Sequence, residues 1–108
     1  LPLAPDVQIQ VLHIVQEALS NVRKHAQARQ VQVRVQRNPW SVEVQDDGVG
    51  FDTSVQRSAD SLHVGLGIMR ERASGIGASV AVQSQPGLGT TMRITLPEPH
   101  TLNTPTLA

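Results

Sequence analysis

Four short segments of the sequence alternate apolar with polar residues, and this period-two pattern constrains the fold more than any other feature. Their apolar positions are Val31, Val33 and Val35; Trp40, Val42 and Val44; Val80 and Val82; and Met92, Ile94 and Leu96. Branched apolar residues at alternate positions are typical of strands with one buried face. Each strand therefore needs a cover on one side only.

Two helical patterns can supply that cover. Between Pro5 and Ala26, apolar residues recur at spacings of three and four, as Val11, Val15, Ala18, Leu19, Val22 and Ala26. Proline suits a first helical position, and Asp6 favours the positive end of the helix dipole. A second helix is predicted from Gly65 to about Ser74. The order of helices and strands predicts an α+β protein, a two-layer α/β sandwich with helices on one face of the sheet.

Composition excludes several classes of function. The chain has 108 residues, which suits one domain, and its 9 Lys+Arg balance 9 Asp+Glu, so binding of nucleic acid through bulk charge is not expected. With no cysteine it holds no disulfide, thiolate metal site or cysteine nucleophile. No apolar run approaches the ~18 residues of a membrane span, and no membrane contact is expected of this domain.

The domain is expected over residues 1–97, followed by a flexible tail over residues 98–108, where Pro, Thr and Asn accumulate. Residues 46–64 are predicted to form a loop, part of which can make a helical turn. Because the sequence does not begin with Met, we expect an N-terminally truncated piece of a longer protein.

The first helix carries a polar arc opposite its apolar face. Glu17 and Asn21 are four residues apart and are neighbours on the helix surface. An asparagine amide oxygen is a hard ligand suited to Mg²⁺, and Lys24 and His25 lie within reach of phosphates that such an ion would carry. Taken alone, these residues are explained more simply as a solvated polar face, since most surface helices carry a polar arc.

Glycines mark three further groups, each with a structural alternative. Asp46-x-Gly48-x-Gly50 ends a predicted strand, where a carboxylate can accept an exocyclic amine and glycines admit a flat ligand, or where a plain turn closes the strand. The glycines of residues 65–67 begin the second helix, where backbone N–H groups can meet an anion, or where a flexible linker ends. Thr90, after a second Gly-x-Gly, can bond a ligand or simply begin a strand.

The order of these groups resembles that of the GHKL family of ATP-binding domains, which includes sensor histidine kinases, DNA gyrase B and heat-shock chaperones. Residues 17–26 look like the N box, residues 46–50 like the G1 box, and residues 87–90 like the final box. Residues 65–73 look like the G2 box of the nitrate-sensor (NarX-like) branch of histidine kinases. The resemblance covers about residues 8–96 and implies the Bergerat ATP-binding fold, with a mixed sheet covered on one face by helices.

The resemblance implies ATP and Mg²⁺ as cofactors. Asn21 would hold the metal ion between the phosphates, while Lys24 and His25 would contact those phosphates. The catalytic positions would be Glu17 and Asn21, where Glu17 corresponds to the residue that acts as a base toward water in ATPase members.

The resemblance also assigns the adenine and lid contacts. Asp46 would accept the adenine amino group, with Thr90 supporting it. The remaining nucleotide contacts would be Gly48, Gly50, Gly65, Leu66 and Gly67. Asp47 stands where many kinases of the family have Asn, and its extra charge near the ligand is expected to alter affinity modestly.

The function implied is that of the catalytic ATP-binding domain of a two-component sensor histidine kinase. Such a domain transfers the γ-phosphoryl group of ATP to a histidine on a separate dimerisation domain, which then phosphorylates a response regulator. None of His13, His25, His63 and His100 is set in an acceptor motif, so little activity is expected of the isolated domain. The domain would be cytoplasmic, in a parent protein of the bacterial inner membrane.

Three alternatives remain open at this point. Within the enzymes, the chain could be a GHKL ATPase or a serine kinase of the anti-sigma type. In another class, it could be a nucleotide-free interaction module that keeps the fold without the activity. A nucleotide titration with and without Mg²⁺ discriminates between these classes.

Overall fold

The computed structural model describes residues 4–52 and 61–97, and its elements follow the predicted order. Helix α1 (Pro5–Asn21) continues into a five-residue π-helical turn (Val22–Ala26), which together span the predicted first helix. The remaining elements are β1 (Val31–Gln36), β2 (Ser41–Asp46), α2 (Ser61–Gly75), β3 (Ser79–Ser84) and β4 (Thr90–Thr95). The predicted tail at 98–108 and the predicted helical turn at 52–57 lie outside the described residues, except for Asp52.

The four strands form one sheet in the order β1-β2-β4-β3. All three neighbouring pairs are antiparallel, so the mixed sheet expected from the resemblance is wrong for the described strands. The reason is topological: β4 returns through a short turn and inserts between β2 and β3, which run parallel to each other but never pair. The same insertion places Thr90 directly opposite both Asp46 and Ser84, at one end of the sheet.

Both helices cover one face of this sheet, which confirms the two-layer α/β sandwich. The core between the layers is aliphatic, and its most deeply buried large side chains are Ile14, Met69, Ile94 and Val44. Ile14 lies on the buried face of α1, although it is not among the apolar positions predicted for that helix. Fully burying one such side chain contributes about 1.5–3 kcal/mol, so this layer contact holds α1 against the sheet.

Helix α2 begins at Ser61, four residues before the predicted start. Leu66, Met69 and Ala73 pack into the core, and this burial outweighs the low helix propensity of the two glycines. Gly65 and Gly67 therefore lie inside the helix, where backbone N–H groups bond to carbonyls one turn earlier. The expectation that residues 65–67 present free N–H groups at a helix N-terminus is wrong.

Strand β1 is at the edge of the sheet, and every one of its residues is exposed. Val33 and Val35 pair with Val44 and Val42 and share their face, but the helices contact the sheet mainly through β2 and β3. The prediction of a half-buried strand is thus wrong for β1, because period two reports which residues share a face and not whether that face is covered. It is also wrong for β2, in which residues 41–44 are buried on both faces of the strand.

Candidate functional site

The pocket of chemical interest lies where the end of α1 meets the adjoining ends of β2 and β4. It is lined by Asn21, Val22, His25, Ala26, Asp46, Gly50, Phe51, Leu62, Thr90 and Met92. Five of these, namely Asn21, His25, Asp46, Gly50 and Thr90, are site residues predicted from the sequence. The others supply apolar walls, which the polar motifs of the sequence do not indicate.

Asp46 is the last residue of β2 and is buried, with 7% of its surface exposed. Its Oδ1 accepts the backbone N–H of Gly48 at 2.8 Å, which fixes the orientation of the carboxylate. No described residue donates a hydrogen bond to its Oδ2. A carboxylate oxygen that accepts no hydrogen bond from the described residues is suited to accept an amine from a ligand.

Thr90 faces Asp46 and belongs to a hydrogen-bond network that the sequence analysis missed. Ser84 Oγ lies 2.8 Å from Thr90 Oγ1, accepts the N–H of Phe51 at 2.8 Å and donates to the carbonyl of Gly89 at 3.0 Å. Because the single Ser84 proton goes to that carbonyl, Thr90 is the donor in the hydroxyl pair. Its lone pairs then remain available to the pocket. The hairpin register, which pairs position 84 with 90, was the signal that could have found Ser84.

Asn21 is the last residue of α1 and is 4% exposed, although it belongs to the polar arc of the helix. Its Nδ2 lies 3.9 Å from the sulfur of Met69, and no described residue donates to its Oδ1. Gly65 packs directly against this amide: a Cβ at position 65 would lie 2.9 Å from Asn21 Oδ1. The glycine therefore lets α2 approach the amide closely, and the amide oxygen remains able to bind a cation.

The π-helical turn that follows Asn21 is held against the segment after β2. The Val49 N–H donates to the carbonyl of Ala26 at 2.7 Å, and a Cβ at Gly48 would collide with that same carbonyl oxygen. Because Gly48 has no side chain, the backbone of Ala26 can pack directly against it. This contact places Asn21, which is buried, and His25, which is half-buried, beside Asp46.

The other predicted site residues lie outside this pocket. Lys24 and Gly67 are exposed, and Leu66 is in the core at 4% exposure. Glu17 is half-buried and lines a separate polar cleft between the helices, with His13, Gln16 and Arg72.

Asp47 is turned away from the pocket and stabilises the loop after α1. Its Oδ1 accepts the backbone N–H groups of Arg29 and Gln30 at 2.9 and 3.0 Å. The Gln30 N–H above all, with that of Arg29, lowers the pKa of this exposed carboxyl below its usual value. The sequence had suggested a charge close to the ligand, whereas Asp47 does not line the pocket and holds the backbone that leads into β1.

Comparison with known proteins identifies the family of the chain. The family described as histidine kinase-, DNA gyrase B-, and HSP90-like ATPase matches residues 6–100. The chain belongs to this ATPase family.

Relatives of this ATPase-family domain are named histidine kinases. It is 40% identical over 100 residues to the nitrate/nitrite sensor protein NarX of Escherichia coli, covering 89% of this chain and 16% of NarX. It is 36% identical over 93 residues to the histidine-protein kinase/phosphatase DegS of Brevibacillus brevis, covering 84% of this chain and 23% of DegS. The domain thus spans under a quarter of the length of these two relatives.

A solved structure gives the same grouping. The histidine kinase domain of a blue-light activated kinase from Erythrobacter litoralis matches with a TM-score of 0.66 and 28% identity, covering 82% of this chain and 46% of that one. The chain is therefore homologous to the catalytic ATP-binding domains of sensor histidine kinases. Among the helices in the described ranges, none is both long and apolar enough to cross a bilayer.

Proposed function

We propose that this chain binds ATP with Mg²⁺ and is the catalytic domain of a two-component sensor histidine kinase, delivering the γ-phosphoryl group to a histidine on a separate domain. The observation that carries the proposal is one pocket with two buried residues, Asp46 and Asn21, each with an oxygen to which no described residue donates a hydrogen bond. The phosphorylated domain would then pass its phosphoryl group to a response regulator. The parent protein would be an inner-membrane sensor with this domain in the cytoplasm.

The Asp46 end of the pocket fits an adenine base. Its Oδ2 can accept the exocyclic amine, and the Thr90 hydroxyl can accept a second donor. Phe51, Leu62 and Met92 provide apolar walls for the flat ring. Apolar walls with few fixed polar groups are the usual composition of a small-molecule site.

The Asn21 end fits a metal ion that arrives with the phosphates. Among residues 4–52 and 61–97, no three His, Cys, Asp or Glu side chains gather into a metal site. Mg²⁺ commonly keeps several waters and binds through substrate phosphates with one or two protein ligands. The Asn21 amide oxygen supplies such a ligand, and ATP supplies the group that is transferred.

The residues of this chain act by positioning and by charge. Phosphoryl transfer needs little covalent chemistry from the protein, so binding the base at one end and the metal at the other accounts for most of what the site must do. Glu17 lies one turn of α1 beyond Asn21, about 6 Å along the axis. It lines the separate polar cleft with His13 and Arg72, where its half-buried carboxylate would accept a hydrogen bond from an approaching imidazole.

Two measurements test the proposal. Calorimetric titration of the chain should show ATP binding that weakens when EDTA removes Mg²⁺. A chimera in which this chain replaces the matching 93 residues of the Brevibacillus brevis kinase should incorporate label from γ-labelled ATP into an acid-labile, base-stable phosphoprotein. Absence of ATP binding by the chain, or a chimera that binds ATP and takes up no label, contradicts the proposal.

A further inference from the structure

A row of polar side chains leads from the pocket along the outside of α1. His13, Glu17 and Asn21 are spaced four residues apart and therefore share one helix face. Exposure rises along the row: Asn21 is buried, Glu17 is half-buried and His13 is exposed. The row runs from the nucleotide pocket to the surface, and it passes through the polar cleft between α1 and α2.

Arg72 on α2 lies across the outer end of this row. Its Nη1 lies 3.3 Å from Gln10 Oε1 and 3.5 Å from His13 Nδ1. Arginine has no acceptor, so the guanidinium is the donor in both contacts. Both are long, and the guanidinium has five N–H donors, so its contacts with the described residues leave most of its hydrogen-bonding capacity for an incoming anion.

Arg72 does not line the pocket that contains Asn21 and Asp46 but the separate cleft with His13 and Glu17. The guanidinium lies at the level of His13, eight residues and about 12 Å along α1 from Asn21. A Mg²⁺ ion lies ~2.1 Å from each of its oxygen ligands, so a phosphate bound to it stays close to the Asn21 end. Because Arg72 is exposed at the outer end of the row, it can contact a partner that approaches the cleft from solvent.

We propose that Arg72 is a positioning residue that pairs with a carboxylate on the domain that carries the acceptor histidine. The planar fork of a guanidinium matches a carboxylate in two hydrogen bonds, which fixes the orientation as well as the distance of the partner. Such a pair beside Glu17 aligns the imidazole with the phosphates. The inference rests on the proposed kinase function and adds the docking contact that the nucleotide pocket does not contain.

The test compares four forms of the chimera with the Brevibacillus brevis kinase: unchanged, Arg72→Gln, Arg72→Lys and Arg70→Gln. Arg70 is exposed on the same helix, about 200° around it from Arg72, and serves as the matched control. At saturating ATP, Arg72→Gln should lower the rate of phosphohistidine formation about tenfold, the effect of losing a charged hydrogen bond. Arg72→Lys should recover part of that rate, and Arg70→Gln should match the unchanged chimera.

Two further readouts separate docking from folding. The ATP affinity and melting temperature of the 108-residue chain should be the same with Arg72→Gln as without it. The labelling rate of the unchanged chimera should fall with added salt more steeply than that of Arg72→Gln, because only the former contains the ion pair. An unaltered labelling rate in Arg72→Gln overturns the inference, as does an equal loss of ATP affinity. Failure of the unchanged chain to bind ATP contradicts the proposed function instead.

Discussion

Asp46→Asn is the sharpest test of the adenine site, because the two side chains have the same shape. In the structure one carboxylate oxygen accepts the Gly48 N–H, and the other accepts no hydrogen bond from the described residues. An asparagine has a single oxygen for these two tasks. If it keeps the Gly48 bond, its NH₂ group faces the adenine amine; if it turns around, the NH₂ group faces the Gly48 N–H. One donor opposes another donor in either orientation.

The expected loss follows from this count. Losing a charged hydrogen bond costs about 1.5–3 kcal/mol, which corresponds to a roughly 10- to 150-fold weaker affinity for ATP. Isothermal titration calorimetry with ATP and excess Mg²⁺ measures this directly. Asp47→Asn is the matched control, since that carboxyl is outside the pocket and its variant should bind ATP as before. Affinity of Asp46→Asn within a factor of two of the unchanged chain would remove Asp46 from the site.

Four other variants have defined outcomes. Asn21→Ala should weaken ATP binding about tenfold with Mg²⁺ and not at all in EDTA, because it removes a metal ligand; an equal loss in both titrations would contradict a metal role. Gly48→Ala should lower the free energy of unfolding by about 1–3 kcal/mol through collision with the Ala26 carbonyl, whereas Gly67→Ala, in open space within α2, should be neutral or stabilising. Asp47→Ala should be less stable than the unchanged chain in urea at pH 7. Because folding lowers the Asp47 pKa, that difference should persist above the usual aspartate value of about 3.9 and shrink below it; a difference independent of pH would refute this account.

The sheet and the first helix were predictable because their patterns are local. Branched residues at period two define a strand whatever surrounds it, and the spacing of Val11, Val15 and Ala18 defines one helix face. The start of α2 was not predictable in the same way, since Gly65 and Gly67 favour a loop and only packing of Leu66 and Met69 against the core overrides them. A window of ten residues does not show which of its side chains the rest of the fold will bury.

The site was predictable in its polar residues and less so in their supports. Asp46, Thr90 and Asn21 follow from the order of motifs, and they line one pocket. Ser84 carries no motif, because its importance comes from pairing with position 90 across a hairpin. The orientation of Asp47 depends on where the loop after α1 passes, and that path depends on the whole fold.

The segment after β2 explains why this fold makes such a site. Val49 donates its N–H to Ala26 at the end of α1 and accepts the N–H of Gly87 from the turn between β3 and β4, at 2.7 and 2.6 Å. One residue therefore joins the helix that carries Asn21 to the hairpin that carries Thr90, directly beyond Asp46. Both ends of the pocket share this backbone junction, so a change at Gly48 should reduce stability and ATP affinity together, whereas Asp46→Asn should reduce affinity alone. If Gly48→Ala lost stability and kept its ATP affinity, or the reverse, the two ends of the pocket would be positioned independently.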